Sequence, residues 1–596
     1  MKLLRLKITD PAGFRSLPCG FEHHFRTEWT LQDELANPDG FAPFVCAGPN
    51  GSGKSNLLEA LAAIFFQLEV LRVRRSFLPE VLQSEELDFS PVAFELDYLI
   101  RVPPEYRSPD SPIWASVSVR KNSGESMRFS WENQGDFDTD VYEAFKGSHA
   151  DILLPQYVLG YSSGENEILS LPFFKLRFVQ FDEYWNALTR QLSYPGHPET
   201  RLAYLDNGFS QAILLCNLLF QDQETLQPFR EDVGIEALKE FRIILRRSIP
   251  LEPEQLAAFA SEDQSQHQSL DDIVKINPAL RAETDEQGAT RYRLNLMLLL
   301  EGDEKSSLMV SALKRCATLS YVDDATDTLI LDYWVNDATK EAFRENFEGS
   351  SLALFQALQV LLTLNLYSVS TSLKADLYRS SSHYVSETVP TLASDQRIMR
   401  FKFVRFSKQG VAQPMMLKEL SDGEHQLLHS LGLCLLFRNT NSLFLLDEPE
   451  THFNPDWRAN FISRLRQCMP GDGNFAQEML ITTHTPFLIS DSKPDKVLVF
   501  KKDKASGKVS ISQPDYNTLG ASINKITMNT FGKRETIGGH AQALLDTLRA
   551  RFEQGSEDNE ALITEIHQQL GDSVEKVLLI KAILDSDQQG DGEAQG

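Results

Sequence analysis

Apolar and polar positions change rhythm several times along this chain, and the changes predict its elements. Leu3–Ile8 reads as a first strand, and the breakers in Pro11–Gly20 mark a loop. Phe44, Val45, Cys46 and Ala47 form a short apolar run that meets a glycine-rich turn. An apolar-periodic segment follows and predicts a helix over about 54–70. Val92–Arg101 and Trp114–Arg120 alternate or are rich in β-formers, which suggests an antiparallel sheet. Tyr157–Gly160 runs into Ser162–Glu167 (SSGENE), a turn of small polar residues whose role the pattern leaves open.

Between about 186 and 395 the chain changes character. Helical patterns appear near 208–221 and 233–248, then a polar loop at 261–272, strands near 291–299 and 327–335, and a long helix at about 337–365. No heptad is sustained over several turns, so a compact α+β insertion is expected in place of a coiled-coil arm. A strand at Met399–Phe406 follows. The region 516–596 reads as helical and ends in a polar stretch, DSDQQGDGEAQG, expected to be disordered.

Composition narrows the class. At 596 residues the chain has room for roughly three to four domain-sized units. Its formal charge of −26 disfavours binding nucleic acid over the whole surface, although local basic patches offer DNA a stripe of phosphate contacts. Arg72, Arg74 and Arg75 form one such cluster, for which a solvated helix end is the plainer reading. Six scattered cysteines without a C-x-x-C pair fit buried thiols in a reducing compartment. The start has no apolar leader and no run of 18 apolar residues occurs, so a cytoplasmic protein that does not span a membrane is expected.

The chemistry starts at Gly48-Pro49-Asn50-Gly51-Ser52-Gly53-Lys54-Ser55-Asn56, which fits G-x-x-x-x-G-K-[ST] between a strand and a helix. Glycines let backbone N–H groups curl round an anion, and the helix presents its positive end to it. Lys54 is then placed for the β/γ-phosphates of ATP, and the Ser55 hydroxyl for Mg²⁺. Ser442–Pro449 (SLFLLDEP) reads as a buried strand delivering two acids to its mouth, Asp447 for Mg²⁺ through water and Glu448 for the attacking water. Ser421-Asp422-Gly423 opens a second helix and offers another anion site. His484, at the end of the apolar strand in ITTHTPFLIS, is placed to sense a γ-phosphate.

The order GPNGSGKSN, LSDGEHQ, LLDEPETHFNP, TTHTP resembles the ABC-type ATPase head of SMC, RecF and related single-chain ATPases. The resemblance implies an α/β fold: a P-loop NTPase head with a mixed core sheet and an antiparallel sheet, interrupted by the insertion. The segments become 1–185 (first half of the head), 186–396 (insertion), 397–515 (second half) and 516–596 (helical C-terminal region). It implies that Gly48–Ser55 is Walker A, Ser421 and Gly423 the signature, Asp447 and Glu448 Walker B, Glu450–Pro455 the D-loop and His484 the switch histidine. Asp422 departs from the usual LSGGE and adds a carboxylate beside the signature. Gln156 and Gln180 are the candidates for the Q-loop glutamine.

In such heads the signature contacts ATP bound to a second head, so a homodimer clamped by ATP is implied. The compact insertion also resembles OLD-like and PtuA-like anti-phage and restriction-associated ATPases. This implies a switch subunit gating a partner nuclease in trans, since the stretch behind the head carries no Toprim-like pattern. A RecF-like repair or chromosome-handling ATPase, and an ATP-clamped scaffold with little turnover, are the alternatives.

Overall fold

The computed structural model describes all residues except 37–40, 72, 74–81, 83–88, 108–110, 138–151, 164–167, 193, 195–198, 257–258, 260–268, 285–289, 383–388, 470–475, 533–536, 556–557 and 594–596. The arginine cluster at 72–75, the end of SSGENE and most of the 261–272 loop lie outside the described residues.

Everything is hung on a seven-stranded sheet. Its order is Val509–Ser512, Val497–Lys502, Phe44–Ala47, Glu478–Thr483, Ser442–Asp447, Tyr157–Ser162, Leu202–Tyr204. All neighbours are parallel except the antiparallel edge strand Val509–Ser512. Such a sheet must be covered on both sides, which is why its central strands are apolar throughout and not alternating. The pleat sends Leu443 and Leu445 into one core and Phe444 and Leu446 into the other.

The first core holds the helix Lys54–Val70, which is buried nearly all round and packs on the helix Ser170–Thr189. It is closed by an antiparallel sheet in the order Glu22–His24, Lys2–Ile8, Phe94–Arg101, Trp114–Lys121, Arg128–Trp131. An ion cluster ties this sheet to the base of the core sheet. Arg26 donates 2.7 Å to Glu478 Oε2 and 3.0 Å to Glu34 Oε2, and Lys496 also reaches Glu34. The side chains of Arg26 and Glu478 are each only 3% exposed. The mixed core sheet and the antiparallel sheet expected of an ABC-type P-loop head are both present.

The second core takes in the insertion. A five-stranded antiparallel sheet runs Leu319–Asp323, Thr328–Trp334, Ile235–Arg246, Met399–Lys408, Met415–Met416, and a small three-stranded sheet lies beside it. Two strand pairings reach across the segment limits expected from sequence. Leu202–Tyr204 carries the core sheet past 185, and Met399–Lys408 pairs with Ile235–Arg246 across the 396/397 line.

Four expectations change. The strand near 291–299 stops at Asn295, which caps the helix Leu296–Gly302. The stretch 233–248 is the strand Ile235–Arg246, not a helix, because bulged pairing to Met399–Lys408 buries Phe241, Ile243 and Leu245 on one face. The single helix at 337–365 is two, Asp337–Asn346 and Ser351–Thr363. They part at Glu348 and Gly349, both at positive φ, and Ser350 caps the second. The C-terminal polar stretch is helical as far as Glu593, within Val574–Glu593. Among the described residues one helix, 351–368, is long and apolar enough to cross a membrane. Half of that window is buried in the protein, with Phe355 packed against Phe209 and Phe437. It is a core helix here.

The expected helical region at the C-terminus holds Gly539–Gln554, Asn559–Gln569 and Val574–Glu593. These close a separate small core around Leu545, Leu562, Ile566 and Leu579.

Candidate functional site

Four strands of the core sheet end side by side. Cross-strand register sets Asp447 opposite Thr482 on one side and Ser162 on the other, and Thr482 opposite Cys46. The loops leaving these strand ends therefore share one mouth, although their residues are hundreds of positions apart in sequence.

The first loop is Gly48–Gly53. Gly48, Gly51 and Gly53 stand at φ 150°, 72° and 99°, a region L side chains rarely adopt. A Cβ on Gly48 would meet the Phe500 carbonyl at 2.6 Å, and one on Gly53 the Ser16 hydroxyl at 2.8 Å. Gly53 caps the helix, whose first backbone bond runs from Leu57 to Gly53. The first-turn amides of Lys54, Ser55 and Asn56 thus lack intrahelical acceptors. The Lys54 ammonium folds over the loop, donating 3.1 Å to Gly48 O and 3.2 Å to Pro49 O. The buried Ser52 hydroxyl has no partner among the described residues. Glycine geometry, spare amides and a bare hydroxyl fit an anionic phosphate.

The second group comes from the ends of the acid strand and its neighbour. Ser55 Oγ donates 2.7 Å to Asp447 Oδ1, and Thr482 Oγ1 donates 2.6 Å to the same oxygen. Burial pushes the Asp447 carboxyl above its ordinary range, against the pull of those hydroxyls. A carboxylate and a hydroxyl oxygen converging on one point are the hard donors Mg²⁺ takes, so Ser55 and Asp447 fit the expected metal pair. Among the described residues no group of three His, Cys, Asp or Glu side chains is placed to hold a metal, so any remaining positions would fall to water and phosphate.

Glu448 sits at φ 50°, unusual for a residue with a Cβ. Its amide is held by Thr482 Oγ1 at 3.0 Å, and its Oε1 lies 2.6 Å from His484 Nε2. That hydrogen bond holds the Glu448 carboxyl below the usual range, outweighing partial burial. His484 Nε2 is also 3.2 Å from Lys54 Nζ. One ring nitrogen thus faces a carboxylate and an ammonium. It can donate to the first or accept from the second, but not both at once.

Lys54, Ser55, Asp447, Glu448 and His484 are therefore brought together. Ser421 and Gly423 lie apart from them. Ser421 is exposed and caps the helix Asp422–Leu436 through a reciprocal capping box with Glu424, whose carboxylate is held by Lys408. Gly423 passes within 2.7 Å, measured from a built Cβ, of the His452 carbonyl, which only glycine permits. Among the described residues no hydrogen bond or ion pair joins Ser421 or Gly423 to the phosphate loop. Gln156 lies at the far end of its strand, accepting from the Asn441 amide at 2.7 Å. Gln180 is buried within the helix Ser170–Thr189, its Oε1 without a partner among the described residues. Neither glutamine is brought to the mouth.

Five more polar residues meet here: Glu450 and Thr451 from the expected D-loop, and Thr482, Thr483 and Ser163, for which the sequence pattern gave no role. Thr482 bridges the two acids. Ser163 donates 2.8 Å to Thr451, and Thr451 donates 2.9 Å to the Glu448 carbonyl. Glu450 accepts from Thr483. The doubled threonine before His484 was the available signal, since alternate hydroxyls at a buried strand end need acceptors.

A family model described as "AAA domain, putative AbiEii toxin, Type IV TA system" matches residues 247–490. This stretch is similar to an AAA domain. It contains Ser421, Gly423, Asp447, Glu448 and His484, and leaves Lys54 and Ser55 outside. No curated protein matches the chain. Solved structures that match include an Smc head bound to the C-terminal winged-helix domain of ScpA, at 11% identity, covering 86% of this chain and 97% of that one, with a TM-score of 0.28. Another is an Smc head with coiled coil and joint from Pyrococcus yayanosii, at 12% identity, 86% and 96% coverage and a TM-score of 0.28. The fold described above stands on the sheet order and loop geometry of this chain.

Proposed function

We propose that the protein binds and hydrolyses ATP, and that this site is its catalytic centre. One observation carries the reading: Lys54, Ser55, Asp447, Glu448 and His484, from three separate strand ends, meet within hydrogen-bonding distance. The loop Gly48–Gly53 and the first-turn amides of Lys54–Asn56 cradle the phosphates, and Lys54 leaves the loop carbonyls for the outer phosphate oxygens. Ser55 and Asp447 would hold Mg²⁺, which would supply charge neutralisation to the phosphates. Glu448, kept ionised by its partner, orients and accepts a proton from the attacking water. His484, released from one neighbour, reads the presence of the γ-phosphate.

The exposed, precapped Ser421 supports a composite site. Its exposed helix start can meet the phosphate of a second copy in a two-fold dimer, with Glu424 giving up the Ser421 amide and hydroxyl it now holds. Hydrolysis would open that dimer and so act as the switch. The finer role, a defence or restriction subunit gating a nuclease in trans, draws on the motif order and the compact insertion. The toxin-system description of the matching family model is in keeping with it.

The test is Glu448→Gln. The variant should keep ATP affinity within about threefold, lose turnover by at least about a hundredfold, and accumulate as a dimer in ATP and Mg²⁺. A wild type without ATP turnover under any condition refutes hydrolysis, and a variant that stays monomeric at saturating ATP refutes the clamp.

A further inference from the structure

We infer that Glu450 is a positioning residue that acts through the Thr483 hydroxyl to hold His484 between Lys54 and Glu448. The inference rests on the ATPase reading of this site and adds to it a residue that touches neither nucleotide nor metal.

The geometry is unusual for a glutamate. The side chain is 3% exposed, and the Thr483 hydroxyl donates to Oε1. Oε2 is buried and has no partner among the described residues. The nearest guanidinium spends its hydrogen bonds elsewhere: Arg458 donates 3.3 Å to the Glu450 carbonyl oxygen and 2.8 Å to that of Thr451. An ionised carboxylate in that place would be a buried charge satisfied on one side only, which is costly. The neutral acid is the form the site accommodates. Burial, with the Glu448 charge close by, accordingly lifts its pKa to about 7.

The same Thr483 hydroxyl accepts from the Thr485 amide at 3.0 Å. The residues on either side of His484 are thus pinned to one point, and Glu450 fixes that point. Glu450 itself is anchored on the far side, because its carbonyl accepts from the Phe453 amide at 3.0 Å. The backbone leaving the acid strand and the backbone carrying His484 are bolted together away from solvent. His484 Nε2 must stand within reach of both Glu448 and Lys54, so an error of about 1 Å in this backbone would lose one contact or the other.

The test is a double-mutant cycle between Glu450→Ala and His484→Ala. It is read as kcat for ATP and as the affinity ratio between a non-hydrolysable ATP analogue and ADP, with melting temperature as the fold control. Glu450→Ala should lower kcat at least about tenfold and reduce the preference for the analogue by a similar factor, while adding less than about twofold in the His484→Ala background. Glu450→Gln, neutral and of the same shape, should stay within about threefold of wild type. If Glu450→Ala does not fold, Thr483→Val against Thr483→Ser replaces it, with loss expected only for valine.

Additive effects of Glu450→Ala and His484→Ala overturn the inference. So does a folded Glu450→Gln as damaged as Glu450→Ala, or a wild type that holds analogue and ADP equally. A wild type that does not turn over ATP overturns the ATPase reading alone, since the affinity ratio still decides the role of Glu450.

Discussion

Thr482→Val removes one hydroxyl and keeps the shape of the strand. In the wild type that hydroxyl donates 2.6 Å to Asp447 Oδ1 and accepts 3.0 Å from the Glu448 amide. A hydrogen bond to a charged group contributes about 1.5–3 kcal/mol, and leaving the Glu448 amide unpaired costs about 1 kcal/mol more. Glu448 stands at φ 50°, a left-handed conformation that costs an L residue roughly 1–2 kcal/mol. The lost amide bond is of the size needed to keep it there. Glu448 should therefore relax, and a misplacement worth about 1.4–2.8 kcal/mol in the transition state lowers kcat about 10- to 100-fold.

The phosphate loop leaves a different strand, so ATP affinity should move less than about threefold. The expected melting shift follows from about 2.5–4 kcal/mol lost in a unit of some 200 residues, roughly 5–16 °C. Thr482→Ser keeps the hydroxyl and should stay near wild type. The assay is steady-state phosphate release beside fluorescent-nucleotide binding on all three proteins. A folded Thr482→Val with kcat within twofold of wild type refutes the reasoning.

Four further outcomes are expected. Lys54→Ala should weaken ATP binding at least about a hundredfold in equilibrium titration, because it removes the cation over the loop and leaves the amide cradle alone. Ser421→Arg should bind ATP normally but fail to dimerise or turn over, as seen by light scattering and phosphate release. Glu478 and Glu34 have folded pKa values below their ordinary ones, chiefly through Arg26 acting against burial. Their contribution is full above the unfolded carboxyl pKa and lost as pH falls, so proteolysis below about pH 4.5 should first free the N-terminal sheet. Arg26→Met should bring that release to neutral pH. Glu450 is the opposite case, with a folded value raised to about 7. Its contribution is complete at low pH and declines as pH rises toward 7. The melting temperature of Glu450→Gln should therefore gain on wild type between about pH 5 and pH 7.5.

How far the sequence could be read depended on whether the chemistry was contiguous. Gly48–Asn56 carries its turn, amides and cation in nine consecutive residues, so its geometry followed from local rules alone. Asp447 and Glu448 were legible as acids at a strand mouth. Their meeting with His484 required knowing that Glu478–Thr483 lies between their strand and Phe44–Ala47, an adjacency no local pattern contains. Thr482, Thr483 and Ser163 escaped because hydroxyls at strand ends are ordinary until their partners are known, and Glu450 was legible only as the start of the expected D-loop. Arg26 and Glu478 are 452 positions apart and mark no motif.

The strand Ile235–Arg246 looked helical because its apolar residues sit at three- and four-residue spacings, which the bulged pairing to Met399–Lys408 accommodates. The helix break at 347–350 was signalled by Gly349 and Ser350. Those residues outweigh the apolar period that continues on both sides of them.

The sheet that crosses from the insertion into the head has a mechanical consequence. Ile235–Arg246 is laced along Met399–Lys408, and the Gln409 amide is tied back to Gly234 at 2.8 Å. The last residue of that strand, Lys408, grips Glu424, the same carboxylate that fixes the Ser421 turn. The insertion is thus tied to the Ser421 turn along this strand and its Lys408–Glu424 clasp, beside the direct seating of the helix Asp422–Leu436 on Ser210–Phe220, where Ser210 meets His429 and Asn217 donates to the Gly432 carbonyl. Motion of the insertion therefore reaches that helix by two routes, one ionic and one packed. Lys408→Met would remove only the first.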